Sequence, residues 1–346
     1  MTTFRLRGLS RTLGFNPRRR AASNAGSGPP GDTEAPSIPQ NLGATAVSSS
    51  QIDLSWDAST DNVAVTGYNI YRDDVLVDTS PTNAYSDTGL DPATAYDYEV
   101  SAFDAASNES ARSAPDSATT HQAIVTAGLL AEWRFDEGTG QVLTDYTGNG
   151  HDGQLGTTAG ADANDPTWTA EGLNFAAGTF VTCDNAGISG GVARTVCAVI
   201  ATDDAGSGNT RFGIEWVGDG SNFKRWTLRC ASSSDDLRLE VQGAGQTASS
   251  LNFDAFEWNF IAATQSGSNM NTITLYKDGA TPVPLTTSAT LDTIGAFQFG
   301  TANSVGNAMQ AAYGLVYDRA LSAAEIEQNR QALASILAAR GITLPS

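Results

Sequence analysis

Through most of this chain apolar residues recur at every second position, in short runs closed by Gly, Asn, Asp or Pro. That period of two is the mark of half-buried β-strands and leaves little room for helices. Gln51-Ile52-Asp53-Leu54-Ser55-Trp56 alternates in this way, as do Tyr68-Asn69-Ile70-Tyr71-Arg72 and Tyr96-Asp97-Tyr98-Glu99-Val100-Ser101-Ala102. Further on, Leu237-Arg238-Leu239-Glu240-Val241, Trp258-Asn259-Phe260-Ile261-Ala262 and Ile273-Thr274-Leu275-Tyr276 alternate as well, and Thr195-Val196-Cys197-Ala198-Val199-Ile200 is an unbroken apolar strand. A helical period enters only near the end. Ser322 is an N-cap and Glu325 completes a capping box. Ile326, Leu333, Ile336 and Leu337 form an apolar stripe, and Gly341 closes a helix predicted over about 322–340. The expectation is an all-β chain, with a small antiparallel sandwich followed by a larger two-sheet jelly roll. The helix either packs on the chain's own body or meets a partner chain.

The 346 residues are 40% apolar, enough for two packed cores. No apolar run approaches the roughly 18–20 residues of a membrane-crossing helix, and no membrane partner is expected. Thirty-eight acidic residues against 19 basic ones give a net charge of −19. The imbalance is uneven. Arg5, Arg7, Arg11, Arg18, Arg19 and Arg20 lie in the first 20 residues, which hold no acid. Residues 21–346 set the other 13 basic residues against all 38 acids and carry −25. A body this acidic repels nucleic acid, so none is expected as a partner. Cys183, Cys197 and Cys230 sit at no metal-ligand spacing and read as small buried hydrophobes. No continuous apolar stretch follows the N-terminal arginines, so this segment does not read as a secretory signal.

Residues 21–37 form a Gly/Ser/Pro-rich linker. The predicted organisation is a basic arm and flexible linker at 1–34, a first sandwich at 35–121, and a second at 122–346 that includes the helix. The first sandwich resembles a fibronectin type III domain. The resemblance rests on Pro36 and Pro39 at the entry, Leu54-Ser55-Trp56, Gly67-Tyr68-Asn69-Ile70-Tyr71, and the stretch from Leu90-Asp91-Pro92 to Tyr98-Glu99-Val100. It implies that Trp56 plugs the space between two sheets and that Tyr96 forms a tyrosine corner, its hydroxyl tying a loop to the next strand. The second sandwich resembles the LamG-like jellyroll family of the concanavalin A-like superfamily. Three segments in the family's order carry this: Trp133-Arg134-Phe135-Asp136-Glu137-Gly138 with Asp145-Tyr146-Thr147-Gly148-Asn149-Gly150; Trp258-Asn259-Phe260 with Leu275-Tyr276-Lys277-Asp278-Gly279; and Val316-Tyr317-Asp318-Arg319-Ala320-Leu321. Asp278-Gly279 suits a hairpin turn that needs positive φ. Together the resemblances imply an immunoglobulin-like fibronectin type III sandwich joined to a concanavalin A-like jelly roll.

Catalytic chemistry is thin. His121 falls in the joint between the sandwiches and His151 in a polar turn, and no nucleophile elbow or phosphate-cradling Gly loop occurs. Asp236 and Glu240 are the nearest approach to paired glycosidase carboxylates, and they read as a solvated loop and strand end. The chain is not expected to be an enzyme. Calcium is the one cofactor to look for, because it takes six to eight oxygen ligands from irregular loops. The LamG-like resemblance implies a structural calcium at Asp136, Asp145 and Asp318. The competing reading is that Asp145 caps a turn and Asp318 pairs with Arg319 or caps a loop. Sugar binding would need aromatic platforms, for which Trp168, Trp216 and Trp226 are candidates; a core position is the alternative for each. Trp133 and Trp258 fall in strand motifs and read as core.

Modules of these two kinds hold, space and bind. Joined to an N-terminus without an export signal, they point to a phage virion protein: a capsid decoration protein, head fibre or tail-associated adhesin. Its arginines at 5, 7, 11, 18, 19 and 20 would anchor residues 1–34 to other capsid or tail proteins. The outer domain would contact a host-surface glycan, and the protein would form a homo-oligomer following particle symmetry. The alternative is a secreted bacterial carbohydrate-binding or adhesion protein, extracellular or on the cell surface, or the accessory modules of a glycan-active enzyme.

Overall fold

The computed structural model describes residues 31–184, 186, 188, 190–202, 213–216, 226–230, 236–241, 244–253, 257–287, 296–300 and 309–345. The arginine arm, and with it Arg5, Arg7, Arg11, Arg18, Arg19 and Arg20, lies outside the described residues.

The first sandwich comprises β1 (Gln40–Ser48), β2 (Gln51–Asp57), β3 (Val65–Arg72), β4 (Val75–Ser80), β5 (Ala84–Thr88), β6 (Ala95–Asp104) and β7 (Asp116–Thr119). They form a three-stranded sheet β1-β2-β5 facing a four-stranded sheet β4-β3-β6-β7. The period of two explains the core directly. β2 buries Ile52, Leu54 and Trp56 at alternate positions, and Tyr68, Ile70, Tyr98 and Val100 meet them from the other sheet. Trp56 packs edge-on against Tyr68 with ring centroids 5.1 Å apart, a geometry the ring quadrupoles favour. The Tyr96 hydroxyl accepts the Asp91 N–H at 3.0 Å, which forms the expected corner. Two carboxylates are buried in this sandwich, Asp87 and Asp104. The Asp87 carboxylate accepts from Arg72 Nη1 at 3.0 and 2.8 Å and from the Tyr98 hydroxyl at 2.8 Å. Burial, and then this carboxylate, push the Tyr98 hydroxyl far above its ordinary pKa.

The second sandwich runs from β8 (Leu129–Trp133) through β9 (Val142–Leu143), β10 (Gly153–Leu155), β11 (Thr167–Trp168), β12 (Leu173–Phe175) and β13 (Phe180–Cys183) to the long β14 (Arg194–Thr202). It continues with β15 (Gly213–Trp216), β16 (Trp226–Cys230), β17 (Asp236–Val241), β18 (Ala244–Asn252), β19 (Trp258–Gln265), β20 (Ile273–Lys277), β21 (Val283–Pro284), β22 (Phe297–Gly300) and β23 (Met309–Tyr317). One sheet has the order β18-β17-β16-β15-β22-β13-β10-β9; the other has the order β11-β12-β23-β14-β19-β20-β21, with β8 also paired to β23. The chain turns from β20 toward β21 at Asp278 (φ 41°) and Gly279 (φ 71°), the positive pair expected of that dipeptide.

Every residue of β14 is buried, because both faces of its sheet are covered. Val196, Ala198 and Ile200 enter the core between the sheets, while Cys197 and Val199 face the opposite way, into a second apolar layer. β23 does the same with a bulge. Its register against β14 slips between Val199 and Ile200, so Ala311 joins the inter-sheet core while Ala312 and Tyr313 both join the second layer. The inter-sheet core is built on aromatic rings. Trp133 stacks on Phe297 at 5.3 Å, and Phe299 meets Trp133 and Phe135 edge-on. Gly314 permits this approach, since a Cβ there would lie 2.5 Å from Phe299 Cζ.

The second layer is made by the helix α1 (Ala323–Ala338). Ser322 and Glu325 form the full capping box. α1 lays Ile326, Leu333 and Leu337 on the sheet, so it packs on its own body rather than on a partner. Ile336, expected in the stripe, is 43% exposed; the buried arc instead includes Asn329.

Candidate functional site

The helix uses up one outer face of the second sandwich. The outer face of the sheet β18-β17-β16-β15-β22-β13-β10-β9 carries no such cover among the described elements. Strand parity sets its chemistry. Val181 and Cys183, Phe297 and Phe299, Ile214, Leu228, and Leu237 with Leu239 all enter the inter-sheet core. Their neighbours in sequence therefore fall on the opposite face. Pairing aligns these neighbours into one cross-strand row: Gln154 with Thr182, Thr182 with Gln298, Gln298 with Glu215, Glu215 with Thr227, and Thr227 with Glu240. Two positions along, Arg229 pairs with Arg238 on the same face. Among the described side chains the row consists of amides and hydroxyls, from Gln154, Thr182, Gln298 and Thr227, with a guanidinium pair beside it.

The end of the row at Gln154, Thr182 and Gln298 is already ordered by hydrogen bonds. Gln298 Nε2 donates to Thr182 Oγ1 at 2.8 Å. Gln154 Nε2 donates to the carbonyls of Thr158 at 2.7 Å, Leu155 at 2.9 Å and Gln141 at 3.1 Å. The side-chain oxygens of Gln154 and Gln298 are thereby fixed in orientation. A row of oriented donors and acceptors across parallel-spaced strands can hydrogen-bond a polyhydroxylated chain laid across them.

Register pairs Trp216 with Trp226 and with Phe297. The side chains of Trp216 and Trp226 lie outside the described residues. Trp168 is half-buried, packs against the inter-sheet core, and donates its indole N–H to the Gly140 carbonyl at 3.0 Å, so it pins a loop.

Nor does the structure bring Asp136, Asp145 and Asp318 together as one set of ligands: among the described residues they do not form a group of converging oxygens. Asp145 is buried and its oxygens are spent on donors. It accepts from the backbone of Glu132 (3.1 Å), Thr147 (3.0 Å) and His151 (3.1 Å), and from the Thr147 hydroxyl at 2.8 Å. Burial pushes its carboxyl up, but these bonds outweigh burial and hold it below the usual carboxylate range. This is the turn-capping role. Asp136 is exposed and accepts from the Tyr146 hydroxyl at 3.0 Å. Asp318 is exposed and its N–H donates to the Gly128 carbonyl at 2.9 Å; Arg319 pairs with Glu325 at 2.6 Å rather than with Asp318. His151 Nδ1 lies 2.7 Å from Asp184 Oδ1 in the same turn region. Cys183 and Cys197 are buried free thiols, and burial pushes Cys197 up to about 12; the Cys230 side chain lies outside the described residues.

Sequence reasoning placed the joint between the two sandwiches at His121 but missed what fastens it. His121 N–H donates to the Ser48 carbonyl and its own carbonyl accepts from Ala93, which fastens one end of the joint to the first sandwich. The other end is fastened under α1. The Val125 N–H donates to Asn329 Oδ1 at 2.8 Å, the Tyr317 hydroxyl donates to the Val125 carbonyl at 2.9 Å, and Gln328 Nε2 donates to the Ala123 carbonyl at 2.9 Å. The signal was a polar residue, Asn329, set in the apolar stripe between Ile326 and Leu333.

The comparisons bear on the first sandwich. Residues 37–119 match the fibronectin type III domain, and this segment is one. The chain is 53% identical over 89 residues to an alpha-amylase of Niallia circulans, covering 26% of this chain and 7% of the amylase. It is 51% identical over 89 residues to exoglucanase B of Cellulomonas fimi, covering 26% of this chain and 8% of that enzyme. It is 43% identical over 145 residues to chitinase A1 of Niallia circulans, covering 40% of this chain and 19% of the chitinase. The chain therefore spans less than a fifth of each of these relatives, and the matched part is the fibronectin type III module of these enzymes. Among solved structures, domain 4 of an extracellular arabinanase from Geobacillus stearothermophilus aligns with a TM-score of 0.43 and 13% identity, over 59% of this chain and 98% of that domain.

Proposed function

We propose that the chain is a non-catalytic, extracellular bacterial protein that binds a polysaccharide, acting as or alongside the accessory modules of a glycan-active enzyme. The carrying observation is the 53% and 51% identity of its fibronectin type III segment to the modules of an amylase and an exoglucanase. In this reading the first sandwich is a spacer, and the second, a LamG-like jelly roll, presents the ligand surface. That surface is the polar row of Gln154, Thr182, Gln298 and Thr227, and the partner is a glycan chain lying across the strands. Nothing in the comparisons points to a virion, and the arm on which virion anchoring rested lies outside the described residues.

The test is co-sedimentation of the full chain with insoluble starch, cellulose and chitin, and gel-retardation with their soluble forms. Retention on at least one polymer is expected, together with at least a tenfold loss in the Thr182→Ala, Gln298→Ala double variant, which removes the ordered end of the row (about 1.4 kcal/mol in binding). Release of reducing sugar from the retained polymer, or no retention by the wild type on any of them, would overturn the reading.

A further inference from the structure

α1 does not fill all the space over the sheet it covers. A cavity of about 240 Å³ remains between the N-terminal half of the helix and the turn from β20 to β21. Phe260 and Tyr276 of the sheet, Pro282 beyond the turn and Ile326 of α1 give it an apolar lining, and Lys277, Glu327 and Arg330 border it as well. The turn and the helix meet beside it. A Cβ at Gly279, whose φ is 71°, would lie 3.6 Å from Arg330 Nε.

An independent observation concerns Arg330. Its Nε donates to Glu327 Oε2 at 2.9 Å, its Nη2 to Glu327 Oε1 at 2.8 Å and its Nη1 to the Pro345 carbonyl at 2.7 Å. A guanidinium carries five N–H donors, so these bonds leave two unspent. Only 13% of the side chain is exposed. Donors on so buried a group are costly to leave unmade, and an acceptor in the cavity would meet them. That acceptor is not an anion. Arg330 is already balanced by Glu327, and Lys277 Nζ lies 2.6 Å from Asp278 Oδ2. An anion would also meet the field of a chain with net charge −19. Neutral oxygens are left. Size limits the rest, since this volume falls below the roughly 300–1,000 Å³ of sites for drug-sized ligands and takes one ring rather than a chain.

We propose that this cavity binds a single neutral sugar ring. Its hydroxyl oxygens accept from Arg330, and its C–H face lies on the apolar lining of Tyr276, Pro282 and Ile326. The inference rests on the polysaccharide-binding reading and adds to it a second site of a different kind. The polar row takes the length of a chain, whereas the cavity takes a chain end or a free monosaccharide.

The experiment titrates the full chain with D-glucose and with N-acetyl-D-glucosamine by isothermal calorimetry, and with D-glucuronate as a charged counterpart. The expected result is binding of at least one neutral sugar with a dissociation constant of about 1 mM, the efficiency of a ligand of about a dozen heavy atoms. Arg330→Ala and Ala323→Phe should each weaken it at least tenfold. Ala323 borders the cavity and is exposed, so Ala323→Phe obstructs the mouth without touching the core. It keeps the test open should Arg330→Ala, which also loses the Pro345 bond, fail to fold. The Thr182→Ala, Gln298→Ala variant should bind the monosaccharide as the wild type does while losing the polymer. No binding of either neutral sugar by the wild type at ~50 mM, some fifty times the expected constant, would overturn the inference. So would binding unchanged in both cavity variants, or tighter binding of glucuronate than of glucose. Retention of a polymer by the wild type in any of these cases would leave the polysaccharide reading standing, so the two fail separately.

Discussion

Asn329→Leu removes the one polar side chain that α1 sends into its buried face, and the structure fixes what is lost. The Val125 N–H loses the acceptor it reaches at 2.8 Å, and no water can replace it, because Val125 and Asn329 are both buried. A buried donor left without a partner costs about 1–3 kcal/mol. The Asn329 Nδ2 bond to the Tyr317 hydroxyl at 3.0 Å goes as well, for about 0.5–1.5 kcal/mol, while Tyr317 keeps its own bond to the Val125 carbonyl. Leucine has the branching and heavy-atom count of asparagine and is the bulkier of the two, so no cavity cost is added. The sum is about 2–4 kcal/mol, or roughly 4–16 °C in the melting temperature of a domain this size. Differential scanning calorimetry of the full chain should show the second sandwich's transition falling by that amount with the first sandwich's unmoved. Hydrogen exchange at the Val125 amide should accelerate in step. A fall under ~1 °C with unchanged exchange at Val125 would refute the claim that this bond fastens the joint.

Asp87→Asn should destabilise the first sandwich by about 2–4 kcal/mol in urea unfolding, because it leaves Arg72 without its buried counter-charge; the partial exposure of Arg72 keeps the loss below that of a fully buried pair. Gly314→Ala should cost about 1–3 kcal/mol by forcing a methyl to within 2.5 Å of Phe299 Cζ, and near-ultraviolet circular dichroism should register the displaced aromatic rings. The Glu325 carboxyl is held down to about 2, chiefly by Arg319 and then by the Ser322 N–H. Its folded pKa is depressed, so its contribution is complete above its unfolded value near 4.5 and is lost as pH falls toward 2. After solvent screening that contribution is ~1 kcal/mol. Glu325→Gln should flatten this part of the acid limb of the stability curve, and an unchanged acid limb would contradict the assignment.

Where a single side chain both defines and satisfies a local motif, the sequence was readable. Trp56 and Tyr96 sit at their expected places because strand alternation fixes one and a five-residue hydrogen bond to Asp91 fixes the other. The Ser322–Glu325 box and the Asp278-Gly279 turn are local for the same reason. Trp168 was offered as a platform with a core position as the alternative, and the structure gives it the second role: it packs against the inter-sheet core and its indole N–H holds the Gly140 carbonyl, a partner 28 residues away that no local pattern announces. The Asp136, Asp145 and Asp318 set came from the family resemblance and not from anything that forces those loops to meet. Asp145 instead lies amid backbone N–H groups that claim its oxygens. Asn329 was passed over because a polar residue in an apolar stripe looks like a gap in the pattern. It is the point at which a remote N–H must be met.

The unequal treatment of the two sheets is the step that links fold to function. The sheet containing β14 has spent both faces, one on the opposite sheet and one on α1, and its strands read as apolar without alternation for that reason. Among the described residues the sheet containing β22 buries one face in an apolar layer. Its alternation, Phe297-Gln298-Phe299 or Val181-Thr182-Cys183, pairs every core residue with a polar one on the far side. Had that far face been meant for water alone, independent exposed side chains would serve. Instead Gln298 is bonded to Thr182 and Gln154 is held by three carbonyls. Such bonds order flexible amides in advance, and ordering them before a ligand arrives lowers the entropy lost on binding. The proposed glycan site therefore falls on this pre-ordered polar face.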